Sequence, residues 1–329
     1  MLDGNDYSKT LNEILLSAPD NFVIQNALAT CLEHVTSHSR ILCSVSGGAD
    51  SDVMVDMLIR CGAIDKTDFV FCNTGIEYAA TKEHLNYLEG AYGIKIIRSK
   101  AKKSIPSCVK TYGVPFWSKD ISEKIYYLQQ HGFKWEDEDF ETLMEKYPGC
   151  KTPLRWWCDM SEMWGISRAP FMKEFIISNP PQFPISHKCC KYAKKDVVKD
   201  ILKDGDYDMQ CIGVRRAEGG VRANIKNCFS EYPDGIDVFR PVFWLRDSDR
   251  DEYCEHYNIV HSRCYREYGF KRTGCAGCPF NKKFDIDLKT MEVHEPALYK
   301  AANNIFGESY EYTRRYLKFR EQQKRSKKQ

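Results

Sequence analysis

The sequence predicts an α/β chain, a parallel sheet flanked by helices, and three observations carry that expectation. Short apolar runs at Ile41–Val45, Phe69–Cys72 and Ile94–Ile97 have the length of strands, and helical patterns at Val53–Arg60 and Thr81–Tyr92 separate them. Strands that alternate with helices join most simply as parallel neighbours. A sheet pattern resumes at Met209–Val214, continues through Phe239-Arg240-Pro241-Val242-Phe243-Trp244, and gives way to a helical segment from Ser248 to Tyr257.

Taken in order, residues 1–40 hold a packing helix over Asn21 to His34, where Phe22, Ile24, Leu28 and Leu32 recur near helical spacing. Residues 41–100 form the first half of the sheet domain. Residues 101–185 break the alternation with aromatics and prolines, Trp117, Trp135, Trp156, Trp157 and Trp164 among them, and an acidic run from Glu136 to Glu141. They read as an inserted, mostly helical lobe, either a lid over an acceptor pocket or a helical insert held by aromatic packing. Residues 186–285 complete the sheet domain, and 286–329 form a basic tail with Arg314, Arg315, Lys318, Arg320, Lys324, Arg325, Lys327 and Lys328. A solvated, frayed terminal helix is the expectation for that tail.

With 48 basic and 46 acidic residues the net charge is +2, so the whole-molecule field favours neither nucleic acid nor an acidic membrane. The start, Met1-Leu2-Asp3-Gly4-Asn5-Asp6, lacks the basic and apolar regions of a secretion signal, and no apolar run approaches membrane-spanning length. A cytoplasmic location is expected. The 15 cysteines are then kept reduced, which favours metal or sulfur chemistry over disulfides. Cys43, Cys61, Cys72 and Cys211 lie in apolar patterns and read as small core residues, while Cys158 and Cys264 carry no assigned role.

Two patterns carry chemistry. The first, Ser44-Val45-Ser46-Gly47-Gly48-Ala49-Asp50-Ser51, joins a strand to a helix. Its glycines let the backbone approach an anion, the helix adds its positive end, and Ser46 and Ser51 add hydroxyls. Asp50 suits either a Mg²⁺ ligand or a helix cap. The second pattern pairs Cys189-Cys190 with Cys275-Ala-Gly-Cys278 after 84 intervening residues. Four thiolates suit a [4Fe–4S] cubane or a closed zinc site, and adjacent ligands favour the cubane, whose irons are separate attachment points.

The loop string resembles the PP-loop of the N-type ATP pyrophosphatases, and it lacks the ending of a Walker A loop. Ala49 stands where that family commonly has lysine, so a catalytic lysine must come from elsewhere. Asn73-Thr74-Gly75-Ile76-Glu77 and Gly213-Val214-Arg215-Arg216-Ala217-Glu218-Gly219-Gly220-Val221-Arg222 resemble motifs of the phosphoadenosine phosphosulfate (PAPS) reductase family within that superfamily, with Gly219 replacing a serine. The thiol array, with Lys194 and the run Gly269 to Cys278, resembles the cluster motif of iron–sulfur adenosine phosphosulfate (APS) reductases, with Phe270 in place of a tyrosine.

These resemblances cover about residues 40–100 and 186–285 and imply an adenine nucleotide alpha hydrolase-like fold with a cysteine-bound cluster region. They imply nucleotide contacts from Ser44, Ser46, Gly47, Gly48, Asp50, Ser51, Thr74, Gly75, Glu77, Arg215 and Arg222. They assign catalysis to Asp50, Ser51 and Lys194, and cluster ligation to Cys189, Cys190, Cys275 and Cys278. The implied cofactors are a [4Fe–4S] cluster, ATP (or APS or PAPS) and Mg²⁺. The implied activity is ATP-dependent adenylation of an acceptor coupled to sulfur transfer. Its partners would be a sulfur donor protein, a cysteine desulfurase or a thioredoxin-like protein, and an acceptor that a nucleic acid could supply. Sulfonucleotide reduction is the alternative, weakened because the sequence has no cysteine after Cys278 to act as the family's nucleophile. A non-catalytic nucleotide-binding or redox-sensing subunit is the third reading.

Overall fold

The computed structural model describes residues 4–233 and 235–327; Met1, Leu2, Asp3 and Lys328 of the expectations above lie outside them. The chain divides into two compact units. One comprises residues 1–73, 77–101 and 196–274, and the other residues 74–76, 102–195 and 275–329.

The first unit is built on a six-stranded sheet. Its strands are β1 (Ile41–Val45), β2 (Thr67–Asn73), β3 (Ile96–Lys100), β4 (Met209–Ile212), β5 (Phe229–Ser230) and β6 (Asp237–Phe239), in the spatial order β3-β2-β1-β4-β6-β5. Every pairing is parallel except β5 with β6. β1 lies between β2 and β4, with Ile41 opposite both Thr67 and Met209. Its helices include α1 (Gly4–Ser17), α2 (Phe22–Ser37), α3 (Ala49–Arg60) and α4 (Ala79–Tyr92), and further along the chain Asp196–Asp204, Asp247–His256 and Arg263–Arg266. Asn21 caps α2, its side-chain oxygen accepting from the amides of Val23 and Ile24. The core collects Ile24, Leu28 and Leu32 of α2, Ile41 and Cys43 of β1, and Val53, Met54 and Leu58 of α3. β1, covered on both faces, is accordingly apolar except at half-buried Ser44.

Some boundaries differ from the expectation. Gly93 ends α4 in the left-handed region at φ 65°, so the third strand starts at Ile96 rather than Ile94. β6 stops at Phe239 because Pro241 has no amide to continue a ladder, and residues 241–244 turn instead, burying Val242 and Phe243. Helix α1 was not expected. Cys43, Cys61 and Cys211 are buried, while Cys72 is half-buried.

The second unit is helical. Its helices include Ile105–Tyr112, Lys119–Gln130, Lys151–Trp157, Met172–Ser178, Phe284–His294 and Pro296–Ser326. Trp117, Trp156 and Trp157 are buried with Phe116, Phe175, Tyr312 and Tyr316, so these tryptophans act in packing. The terminal helix is not solvated on all sides. Ala302, Phe306, Ser309, Tyr310, Thr313 and Tyr316 recur at helical spacing and are buried, and the charged residues between them masked that stripe in the sequence. Tyr316 meets Trp117 edge-on at 4.8 Å between ring centres, and its hydroxyl donates to the Pro170 carbonyl at 2.9 Å. Among the described residues, no helix is long and apolar enough to cross a membrane.

Replacing Tyr316 with alanine removes a fully buried ring and strands the Pro170 carbonyl, and should lower unfolding free energy by about 3–5 kcal/mol. Denaturant unfolding measures this; an unchanged midpoint would contradict the assigned packing.

Candidate functional site

The loop after β1 reaches α3 through Gly47, whose φ of 68° is in the left-handed region and whose missing side chain leaves room for Thr81, 2.9 Å from where a Cβ would stand. Ser51 Oγ accepts from the Ser46 amide at 3.0 Å, and Ser46 Oγ accepts from the Gly48 amide at 3.3 Å. Both hydroxyls thus fasten the loop and keep their own protons for a ligand. Gly48, not Asp50, is the N-cap of α3, and it makes no side-chain cap bond. The cap reading of Asp50 is therefore replaced by another role.

Asp50 Oδ1 accepts from Arg215 Nε at 2.6 Å and lies 3.4 Å from Arg250 Nη1. Arg215 is buried and extends its remaining donors to Asp247 at 2.8 Å and to the Leu245 carbonyl at 3.3 Å. The guanidinium holds the Asp247 carboxyl below the usual aspartate range. Arg215 was expected to face a phosphate; it lines the cavity, and three of its five N–H groups tie it to Asp50, Asp247 and the Leu245 carbonyl. Gly213 permits that approach, since a Cβ there would stand 3.3 Å from the Asp50 carbonyl.

These residues line one cavity of about 740 Å³, entirely within the first unit. Its lining includes Ser46, Gly48, Ala49, Asp50 and Ser51 of the loop, Arg215, Glu218 and Arg222 of the segment after β4, and Asp247, Arg250, Asp251, Tyr265, Lys271, Arg272 and Thr273, with Arg250 paired to Asp251 at 2.7 Å. Arg222 pairs with Glu218 at 3.0 Å, and Arg272 pairs with the same carboxylate. Tyr265 accepts from the Ala49 amide at 3.1 Å and bonds Thr273 at 3.0 Å, so its hydroxyl occupies an amide at the head of α3. A cavity with cations along one side and a helix amino end at another suits a polyanion.

The other expected contacts lie elsewhere. Ser44 is half-buried on β1 and accepts from Gln210, outside the cavity lining. Glu77 is buried in the first unit. Thr74 and Gly75 belong to the second unit, where Thr74 Oγ1 lies 3.8 Å from Cys275 Sγ and Gly75 has φ 88°. Sequence reading missed Asp247, Arg250 and Tyr265, and it set Lys271, Arg272 and Thr273 in the run leading to Cys275 without giving them a place at the phosphate loop; for Asp247 and Arg250 the local signal was the polar first turn of the helix Asp247–His256.

All four cysteines of the array fall in the second unit. Cys189 and Cys190 sit on a short helical turn that runs into a π-helical turn, Lys191–Lys195, carrying Lys194. The Cys189 thiol is pushed up by a hydrogen bond with Cys190, which lowers Cys190 in turn, with Lys119 and Lys194 assisting. Lys194 is raised by Cys275 and also by Cys190 and Cys278. The sulfurs of both pairs and this ammonium therefore share one electrostatic neighbourhood. Among the described residues no group of three or more His, Cys, Asp or Glu side chains is arranged around a single metal ion.

Residues 40–146 match the family model of the phosphoadenosine phosphosulfate reductase domain. The phosphate loop lies within that match, and Arg215 and the four cysteines lie beyond it. An uncharacterised protein of Methanocaldococcus jannaschii is 37% identical over 76 residues, which are 23% of this chain and 15% of that protein. The chain thus matches only a small part of the length of that relative. Among solved structures, PAPS reductase from Candida auris in complex with phosphate aligns at 13% identity and TM-score 0.43, over 84% of this chain and 96% of its own. NH3-dependent NAD synthetase from Campylobacter jejuni aligns at 10% identity and TM-score 0.34, over 93% and 96%.

Substituting Gly47 with alanine forces an L residue into the left-handed region, at about 1–2 kcal/mol, and drives its Cβ against Thr81. The melting temperature should fall measurably; an unaltered melt would show the turn to be unstrained.

Proposed function

We propose that this chain, with its PAPS reductase-type domain, binds ATP by its phosphates at the loop Ser46–Ser51, adenylates an acceptor oxygen with release of pyrophosphate, and couples that step to sulfur transfer. The observation that carries the reading is the cavity at the head of α3, where loop amides and hydroxyls meet Arg222, Arg250, Lys271 and Arg272. Pyrophosphate departure places negative charge on the leaving oxygens, and fixed donors already aimed there lower the barrier. Adenylation converts a poor oxygen leaving group into AMP, which a sulfur nucleophile then displaces.

In this reading Ala49 leaves the loop without a lysine, and Arg250 supplies the missing cation from the helix Asp247–His256. Arg215 keeps Asp50 oriented toward the cavity, and Mg²⁺ bound at Asp50 would neutralise the phosphates. Ser46 and Ser51 donate hydroxyl protons to phosphate oxygens, and Tyr265 yields the Ala49 amide to the ligand. Arg222 holds the distal phosphates. Gly47 shapes the loop backbone, and nucleotide contacts from Ser44, Thr74, Gly75 and Glu77 stay expectations of the motif resemblance.

Cys189, Cys190, Cys275 and Cys278 would hold a [4Fe–4S] cluster, with Lys194 offsetting its negative charge. The donor set fits, being all thiol, with Lys119 and Lys194 beside it. Such a cluster, when bound, supplies charge or electrons. A sulfur donor protein and a nucleic-acid acceptor are the partners this chemistry admits. The family match favours sulfonucleotide reduction as the second reading.

Anaerobically purified protein incubated with α-labelled ATP and candidate acceptors should release pyrophosphate and AMP, and Arg250→Ala should reduce the rate about 100-fold or more, the usual effect of removing a transition-state donor. Tight APS or PAPS binding with no pyrophosphate under any condition would transfer the assignment to the reductase. Iron and sulfide near four per chain should accompany a brown colour; colourless protein carrying zinc would overturn the cluster.

A further inference from the structure

Cys254 lies one helical turn beyond Arg250, on Asp247–His256, within the first unit. Its sulfur stands 3.4 Å from Nε2 of His261. The opposite nitrogen of that ring, Nδ1, lies 2.7 Å from Asp52 Oδ2, and the other oxygen of Asp52 lies 2.9 Å from His84 Nε2. Asp52 has no exposed surface and His84 is buried. A buried carboxylate facing two imidazole nitrogens takes an N–H from each. This fixes the proton of neutral His261 on Nδ1 and leaves Nε2 as an acceptor for the thiol. Thiol, imidazole and carboxylate then stand in the order by which a base activates a sulfur nucleophile.

Burial, with Asp52, Asp251 and Asp56 nearby, pushes the Cys254 thiol up to about 12 against the pull of Arg250. Such a thiol stays protonated at neutral pH, and the His261 ring at 3.4 Å is placed to take its proton. None of Cys254, His261, Asp52 and His84 lines the phosphate cavity; a separate cavity of about 170 Å³ borders His84, Tyr87, His261 and Arg263. Cys254 is also in the last turn of its helix, where the backbone presents carbonyls rather than N–H donors. Acyl transfer would need an oxyanion hole, whereas attack on sulfur leaves charge on a departing sulfur and needs none.

We infer that Cys254 is a base-activated thiol that accepts sulfane sulfur from a persulfide, R–S–SH, and holds it for the sulfur-transfer reaction proposed above, on which this inference rests. His261 Nε2 takes the thiol proton, and the thiolate attacks the terminal sulfur. The new S–S bond forms as the donor's S–S bond breaks, its electron pair leaving on R–S⁻, which recovers the proton from His261. The products are Cys254–S–SH and R–SH; one sulfur moves and no outside oxidant or reductant is consumed.

The test exposes the full chain, without ATP, to inorganic disulfide (HSS⁻), caps with iodoacetamide, and reads each cysteine-containing peptide by mass spectrometry. Cys158, half-buried with its thiol 3.9 Å from the Glu138 carbonyl oxygen, is the internal reference. Cys254 should gain one sulfur faster than Cys158, and His261→Gln should slow Cys254 by about 100-fold, the scale of lost general-base catalysis, while leaving Cys158 unchanged. Equal Cys254 rates in both proteins, or no persulfide at Cys254, would overturn the inference. Should the variant not fold by circular dichroism, the wild-type comparison decides alone: a Cys254 no faster than Cys158 refutes it. Because no nucleotide is present, failure here leaves adenylation standing, and absent pyrophosphate release beside an intact Cys254 persulfide would refute adenylation alone.

Discussion

The bond from Arg215 to Asp50 holds the first unit's cavity in shape. It ties the segment after β4 to the first turn of α3, and it is short, 2.6 Å, between a buried guanidinium and a carboxylate at the cavity wall. A buried guanidinium without partners would be costly, and this one is satisfied by Asp50, Asp247 and a backbone carbonyl together. Gly213 is what lets the two segments come so close. With Asp50 held by Arg215, the cavity also carries Lys271 and the two guanidinium groups of Arg222 and Arg272, which share the single carboxylate of Glu218, so the basic charge there exceeds that one partner.

Helix α3 distributes three carboxylates to three tasks. At about 100° per residue, Asp50 and Asp52 point to nearly opposite sides while Asp56 returns close to the direction of Asp52. Asp50 faces the cavity cations, Asp52 is clasped by His84 and His261, and Asp56 takes Arg60, Tyr92 and Tyr253. One helix beginning at the phosphate loop thereby couples the loop's position to two buried polar networks.

Much of this was legible along the chain. The apolar runs at β1 and β2, the Gly47-Gly48 turn and the paired thiols are local patterns, and local patterns survive in sequence. What stayed hidden depends on residues far apart. Arg215 has the composition of a phosphate ligand, and only the fold reveals Asp50 and Asp247 as its partners. Arg250 lies in a helix so polar that nothing marks which face is buried, and the relay from Cys254 to His84 spans helix and loop. The aromatic stripe of Pro296–Ser326 was obscured by interleaved arginines and lysines, whose long side chains can lie over apolar surface.

The central claim is that the head of α3, its glycine turn and the surrounding cations form one polyphosphate site. Isothermal titration of the protein with inorganic pyrophosphate and Mg²⁺ tests it most directly. The account predicts saturable binding at one site per chain, displaced by ATP and weakened by added salt, as charge-dominated contacts are. Absence of saturable heat at millimolar pyrophosphate, or binding that salt and ATP leave untouched, would contradict it.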